Sequence, residues 1–334
     1  MTEQPAIRVR DLAVHFPIAR GVLGRTVGHV RAVDGVSFEV HKGEVFALVG
    51  ESGCGKTTTA FAVLNLVKKT HGTIALNLSA HGSSDVQWDA LSAAEKRSLR
   101  KSVQVVFQDP MSSLNPRMTV KSILEEPYIV HRMGSPAQRD EWVRDLMQQV
   151  GLSPDFSRRF PHEFSGGQRQ RIGIARALAT KPEIVIADEP VSSLDVSIQA
   201  QIVNLLQDLQ RQRNLTLMFI SHDLAIVRHI ANRMAVMYLG RIMEMGTDRD
   251  IFENPQHPYT ELLLSSVSVP GSGRRGAQSV PSIDEQSESG SAAGCPFYPR
   301  CPKREDECMR GVPQLREVSP GHVSACVETR TGRP

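Results

Sequence analysis

The chain has 334 residues, with 39 Lys and Arg against 36 Asp and Glu, a formal net charge of +3 and five cysteines. That length predicts one large domain plus an appendage, and the near-balanced charge argues against a dedicated nucleic-acid binder, which carries a strong basic excess. The longest apolar runs, such as residues 215–220, are strand-sized and fall short of the ~20 residues that cross a bilayer; residues 1–5, Met-Thr-Glu-Gln-Pro, show no basic start to a secretory signal, so none is expected.

In chain order, residues 7–16 and 32–40 predict short strands joined by a Gly-rich loop over 21–28. Residues 45–49, Val-Phe-Ala-Leu-Val, read as a buried strand, and Ala60, Val63, Leu64 and Val67 fall on one stripe of a following helix. Between them lies Gly50-Glu51-Ser52-Gly53-Cys54-Gly55-Lys56-Thr57-Thr58. A glycine-rich turn between strand and helix lets successive N–H groups point into one concavity, because glycine tolerates the close approach and the backbone angles. The helix N-terminus adds positive potential, Lys56 is placed to reach terminal phosphates, and the Thr57 hydroxyl is placed to ligate Mg²⁺. This is a phosphate cradle. Cys54 within it reads as a small filler.

A strand over 103–108 ends at Gln108-Asp109-Pro110. Residues 111–165 carry helical patterns broken by Pro116, Pro127, Pro136, Pro154 and Pro161, which reads as an inserted helical subdomain at about 109–165. At its end Phe164-Ser165-Gly166-Gly167-Gln168 sets a second glycine pair at a helix start, a further place for an anion. One nucleotide needs one cradle, so the economical reading is that this element serves a nucleotide held mainly by another subunit; read alone, it is also an ordinary helix cap. The strand 184–187 ends in Asp188 and Glu189. Asp188 at the strand tip is placed to hold Mg²⁺, and Glu189 to act as general base on the attacking water. A helix over 196–213, a strand over 216–220 and a hairpin from 234–239 to 242–245 complete a largely parallel sheet covered on both faces. Residues 1–265 therefore form the main domain, 266–294 a flexible Gly-, Ser- and Pro-rich linker, and 295–334 a Cys-bearing tail.

The order phosphate loop, Gln108, Ser-Gly-Gly-Gln, Asp188-Glu189, Ser192-Ser193-Leu194-Asp195 and Ser221-His222-Asp223 resembles the nucleotide-binding domain of ABC transporters. The stretches 107–117 (Phe-Gln-Asp-Pro-Met-Ser-Ser-Leu-Asn-Pro-Arg) and 251–263 (Ile-Phe-Glu-Asn-Pro-Gln-His-Pro-Tyr-Thr-Glu-Leu-Leu) look like the ATP-binding subunits of the oligopeptide/dipeptide ABC importer family. The resemblance implies a P-loop α/β fold with a mostly parallel core plus antiparallel β and α-helical subdomains. It implies an ATPase in which two domains clamp two ATP molecules head to tail, with residues 50–58 of one facing Ser165, Gly166, Gly167 and Gln168 of the other. Gln108 would contact Mg²⁺ and sense the γ-phosphate, Glu189 would be the base, His222 would bridge γ-phosphate and water, and Asp195 would link the two sites. Partners implied are a second ATPase subunit, a paralogue, two membrane permeases and an extracytoplasmic binding protein, with no nucleic acid and a peripheral place on the cytoplasmic face of the inner membrane. A non-transport ABC ATPase and a regulatory protein with a dead site stay open as alternatives. Phe164 and Ser193 depart mildly from the family's usual Leu and Ala, and Phe16 and His29 both stand where an adenine-stacking aromatic is expected.

Cys295, Cys301, Cys308 and Cys326 fall in a C-x5-C-x6-C-x17-C pattern, apart from Cys54. In a reducing compartment such a tail predicts metal rather than disulfides, and the tight pairs common in zinc sites are missing. The same resemblance implies a [4Fe–4S] cluster at these cysteines, with Zn²⁺ as the alternative, acting as a staple for a tail too polar to build its own core.

Overall fold

The computed structural model describes residues 4–20, 25–79, 82, 85–265 and 294–327. Its elements in chain order are β1 (Ile7–Arg20), β2 (Arg25–Val40), β3 (Val45–Val49), α1 (Lys56–Val63), β4 (His71–Asn77), β5 (Asp85–Gln87), α2 (Ala93–Ser102), β6 (Val103–Val106), α3 (Pro110–Ser113), α4 (Val120–Val130), α5 (Pro136–Gln149), α6 (Gly166–Leu178), β7 (Ile184–Asp188), α7 (Val196–Arg213), β8 (Thr216–Ser221), α8 (Leu224–Ile230), β9 (Arg233–Tyr238), β10 (Arg241–Thr247), α9 (Asp248–Glu253), α10 (Pro258–Ser265), β11 (Arg316–Ser319) and β12 (His322–Ser324). They make two sheets, one ordered β2-β1-β4-β5 and one ordered β11-β12-β10-β9-β3-β8-β7-β6. The sheet expected to be largely parallel is so where its strands are continuously apolar: β3, β8 and β7 are buried along their whole length and pair in parallel with β9 and β6. Strands buried on both faces need helices on both faces, which is why they read as unbroken apolar runs.

The smaller sheet is antiparallel, because alternating sequences leave one face for water. Its β1–β2 hairpin is longer than the sequence predicts. Pairing runs from Ile7 opposite Val40 out to Arg20 opposite Arg25, so cross-strand pairing draws residues 25–28 into a strand despite the loop signal of Gly28. Residues 21–24 lie outside the described residues. The strands β4 and β5 and the helix α2 were not predicted; α2 nevertheless opens on a capping box of Ser92 and Glu95, a legible start signal. The hairpin β9–β10 turns through Leu239 and Gly240, both at positive φ (42° and 78°), the conformation that matches the twist of a two-residue connection.

The Cys-bearing tail is no free appendage. The strand β12 pairs antiparallel with β10 (Glu244 opposite Ser324, Met245 opposite Val323), and β11 pairs with β12, so the tail extends the main sheet by two strands. Phe297 is fully buried and packs against Tyr238, Tyr259 and His257. The expected linker, 266–294, falls almost wholly outside the described residues.

This corrects the iron–sulfur expectation and its zinc alternative. Cys295, Cys301, Cys308 and Cys326 line one cavity of about 20 Å³, room for roughly one water molecule. Yet among the described residues no group of three or more His, Cys, Asp or Glu side chains is placed to hold a metal ion. Burial pushes the Cys295 thiol up to about 11. The staple argument fails for a physical reason: the tail borrows the core and the edge of the large sheet, so it has no need to build a core of its own.

Buried polar groups fasten this junction. Glu244, on β10, accepts from the backbone N–H groups of Gln256 (2.7 Å) and His257 (2.9 Å) and pairs with His322 Nε2 at 2.7 Å, both side chains being wholly buried. His257 Nδ1 accepts from the Tyr259 N–H at 3.0 Å, and burial lowers its pKa from 6.5 to about 4. The folded state therefore keeps His257 neutral while the unfolded chain takes up a proton below about pH 6.5. Stability is lost as pH falls from 6.5 to about 4, and at about 1.36 kcal/mol per pH unit the loss is on the order of 3 kcal/mol. Urea unfolding of the His257→Asn variant, which keeps an acceptor but no titrating ring, should show a flatter pH dependence in that window than the unaltered chain. Parallel curves would remove His257 as the titrating group.

Candidate active site

Sheet register assembles the site. In the parallel strands Val49 lies opposite Ser221, Asp188 opposite Ile220, and Val106 opposite Ala187. The residues just past each C-terminal end therefore come to one edge: the phosphate loop after β3, His222 after β8, Asp188 and Glu189 at the end of β7, and Gln108 beyond β6. In open α/β sheets this carboxyl edge is where ligands bind.

The loop from Gly50 to Gly55 needs its glycines. Their φ values are 149° at Gly50, 78° at Gly53 and 105° at Gly55. A Cβ on Gly50 would stand 2.1 Å from the Met237 carbonyl and one on Gly55 2.2 Å from the Ala32 carbonyl, while one on Gly53 would meet nothing within 4 Å. Two glycines thus seat the loop on its supports and the third faces open space on the ligand side. Gly55 precedes α1, whose first residue is Lys56. Lys56 is buried, and its Nζ donates to the carbonyls of Gly50 and Glu51, each at 2.9 Å. Cys54 is buried beneath the loop and burial raises its thiol pKa. Ser52 is exposed at the loop crest and Thr58 half-buried on α1.

Asp188 and Glu189 diverge although adjacent. Asp188 is buried and accepts from the Thr57 hydroxyl at 2.9 Å; burial raises its pKa, against the lowering effect of that hydrogen bond. Glu189 adopts a left-handed backbone, φ 43°, a conformation that costs energy in a residue with a side chain and persists where surroundings enforce it. Its N–H bonds the Ile220 carbonyl at 3.0 Å. Glu189 Oε2 accepts from Gln108 Nε2 at 3.1 Å and lies 3.2 Å from His222 Nδ1. Five of the expected residues, Thr57, Gln108, Asp188, Glu189 and His222, thus meet at the mouth of the loop.

The second glycine element is built but stands apart. Ser165 caps α6 and forms a capping box with Gln168. A Cβ on Gly167 would stand 2.5 Å from Ile198 and one on Gly166 3.2 Å from Leu194, so these glycines also let α6 seat against the loop that carries Asp195. Asp195 is exposed beside Val196, which is 82% exposed. Among the described residues, the side-chain hydrogen bonds of Ser165 and Gln168 join them to each other rather than to the phosphate loop. Phe164 is buried edge-on against Phe156, and Ser193 is exposed. Phe16 and His29 lie exposed on the β1–β2 hairpin.

Comparison with known proteins decides the family. Residues 33–192 match the ABC transporter family, and residues 243–308 match the oligopeptide/dipeptide transporter C-terminal region. The chain is 48% identical over 328 residues, 97% of each chain, to the oligopeptide transport ATP-binding protein AppF of Bacillus subtilis (strain 168). The chain belongs to the ATP-binding proteins of the oligopeptide/dipeptide ABC transporter family. It is likewise 49% identical over 327 residues to a putative peptide import ATP-binding protein of Brucella ovis, covering 98% of this chain and 99% of that one. This ABC protein also resembles solved structures. The dimeric post-hydrolysis state of the ATP-binding cassette MJ0796 with ADP and Pi superposes with a TM-score of 0.63 at 25% identity, covering 73% of this chain and 99% of that one. A Clostridium perfringens protein, cbiO1 of the ABC transporter complex cbiONQ, gives 0.63 at 25% identity, covering 75% and 92%.

Two residues of the ABC protein's site escaped the sequence reading. The Tyr259 hydroxyl accepts from the Glu51 N–H at 3.1 Å, and Arg300 grips the Glu51 carboxylate through both Nη atoms. They lie 208 and 249 residues from Glu51 in sequence, too far for a local motif to reveal. Tyr259 sits in the 251–263 stretch quoted above, and that stretch was the one available signal.

Proposed function

We propose that this chain is the ATP-hydrolysing subunit of a peptide-type ABC importer, acting in a head-to-tail ATPase pair that drives membrane permeases. The observation that carries the reading is Glu189, held at one oxygen between Gln108 and His222 and next to the Asp188–Thr57 pair at the mouth of the phosphate loop. The loop N–H groups and Lys56 bind the phosphates of ATP, Lys56 exchanging its two carbonyl partners for phosphate oxygens. Glu189 Oε2 orients the attacking water and takes its proton, while Gln108 and His222 fix the direction in which that oxygen points. Thr57, Asp188 and Gln108 fit a hard divalent cation: they offer oxygen donors, and the buried Asp188 carboxylate is met by a neutral hydroxyl. Mg²⁺ bound there would neutralise charge on the phosphates.

The backbone N–H groups of Gly166 and Gly167, with Ser165 and Gln168, would close on ATP held by the facing subunit, and Asp195 would link the two sites. The second ATPase is a paralogue or a second copy, working with two permeases and an extracytoplasmic binding protein. Among the described residues no helix is long and apolar enough to cross a membrane, so attachment to the cytoplasmic face would be through the permeases. Affinity purification of the tagged full chain from detergent-solubilised membranes should recover permeases and a second ATPase, with ATP turnover stimulated by a peptide-loaded binding protein. Recovery with ribosomes or DNA and no permease would overturn the importer reading in favour of a non-transport ATPase.

A further inference from the structure

The phosphate loop is held from outside as well as from its own strand and helix. Glu51, its second residue, is fixed at three points. Its carbonyl accepts from Lys56 Nζ at 2.9 Å, its N–H donates to the Tyr259 hydroxyl at 3.1 Å, and its carboxylate takes a two-pronged grip from Arg300, Nη1 to Oε2 and Nη2 to Oε1, both 2.9 Å. Tyr259 comes from α10 and Arg300 from the short turn Tyr298–Arg300 of the tail. The Arg300 guanidinium is itself placed by its surroundings: it lies 5.7 Å from the Tyr238 ring centroid and 5.8 Å from that of Phe297, and Tyr238, Tyr259 and Phe297 form one aromatic cluster under it. A planar fork facing both carboxylate oxygens fixes direction as well as distance, which a lysine could not do.

We infer that Arg300, with Tyr259, is a positioning residue for ATP: the C-terminal segment sets the conformation of the phosphate loop, and ATP affinity depends on that segment being docked. This rests on the ATPase reading above. The chain of contacts is continuous. The strand pairing of β12 on β10 and the burial of Phe297 dock the tail, Arg300 then orients Glu51, and Glu51 fixes the turn that presents the loop N–H groups and, until ATP binds, parks the Lys56 ammonium on its carbonyl. Arg300 touches no reacting atom, so its removal weakens binding to ground state and transition state alike. That signature raises KM and leaves kcat.

The test compares Arg300→Ala, Arg300→Lys, Glu51→Gln and the Arg300→Ala/Glu51→Gln double variant, each as full chain in the assembled transporter. Arg300→Ala is expected to raise KM for ATP on the order of 5- to 20-fold with kcat within about twofold, and Arg300→Lys to fall between it and the unaltered protein. The double variant should be no worse than the poorer single one, since both remove one interaction. Direct ATP titration of the isolated full chain should show the same loss of affinity. KM within about twofold of the unaltered value in both Arg300 variants, or effects of Arg300→Ala and Glu51→Gln that multiply in the double variant, would overturn the inference. Should Arg300→Ala fail to fold, Arg300→Lys and Glu51→Gln decide it on the same criterion. Failure of the unaltered chain to bind ATP at all is a different result, and sinks the ATPase reading itself.

Discussion

Replacement of Glu189 by Gln is expected to lower ATP turnover on the order of 10²- to 10⁴-fold while leaving ATP affinity within about twofold. The amide has nearly the shape of the carboxylate, so the Gln108 contact at 3.1 Å and the approach of His222 at 3.2 Å can persist. What disappears is the acceptor for the proton of the attacking water. The backbone at this position already sits at φ 43°, and Gln tolerates that angle as Glu does, so a folding defect would not mimic the result. Single-turnover hydrolysis in the assembled complex, set beside equilibrium ATP binding, separates the two quantities. Turnover equal to that of the unaltered protein would dismiss Glu189 as the base and, with it, the reading of the whole cluster around it.

The second large effect concerns stability. Glu244→Ala should destabilise the chain by about 3–5 kcal/mol, because it strands buried partners rather than merely deleting a contact. With the carboxylate gone, the N–H groups of Gln256 and His257 and the His322 ring nitrogen lose their common acceptor in a site that excludes water. Glu244→Gln keeps one carbonyl oxygen and should cost clearly less. The double variant Glu244→Ala/His322→Ala should fall short of the sum of its parts, since both members act in one network. Urea unfolding at neutral pH measures all three. A loss below about 1 kcal/mol for Glu244→Ala would mean that water or a rearranged backbone replaces the carboxylate.

How much of this could be read from sequence follows from the range of the interactions. The phosphate loop, Asp188-Glu189 and Ser165–Gln168 were legible because each is a contiguous run whose conformation is set by its own glycines, caps and flanking apolar strand. The convergence of the phosphate loop with Asp188-Glu189 followed from parallel strands, whose C-terminal ends must share an edge, while Ser165–Gln168, at the start of α6, stands apart. The length of the β1–β2 hairpin was not legible, since residues 25–28 become strand only through a partner more than a turn away. The tail was misjudged for a related reason. Cys295, Cys301, Cys308 and Cys326 dominated the reading of a segment whose stability comes from Phe297, His322 and the edge of β10, none of them marked by spacing. The Arg300–Glu51 grip joins residues 249 positions apart, and nothing around Glu51 announces a cationic partner.

The placement of β12 also bears on how the protein comes into being. His322 meets Glu244 across 78 residues of chain, so during synthesis β10 waits, its outer N–H and C=O groups unpaired, until a much later segment arrives. A growing chain folds from its N-terminus onward, which means the ATP loop is formed first and receives its outer support last. Any polypeptide released in that interval would carry a bare sheet margin of the sort that templates self-association.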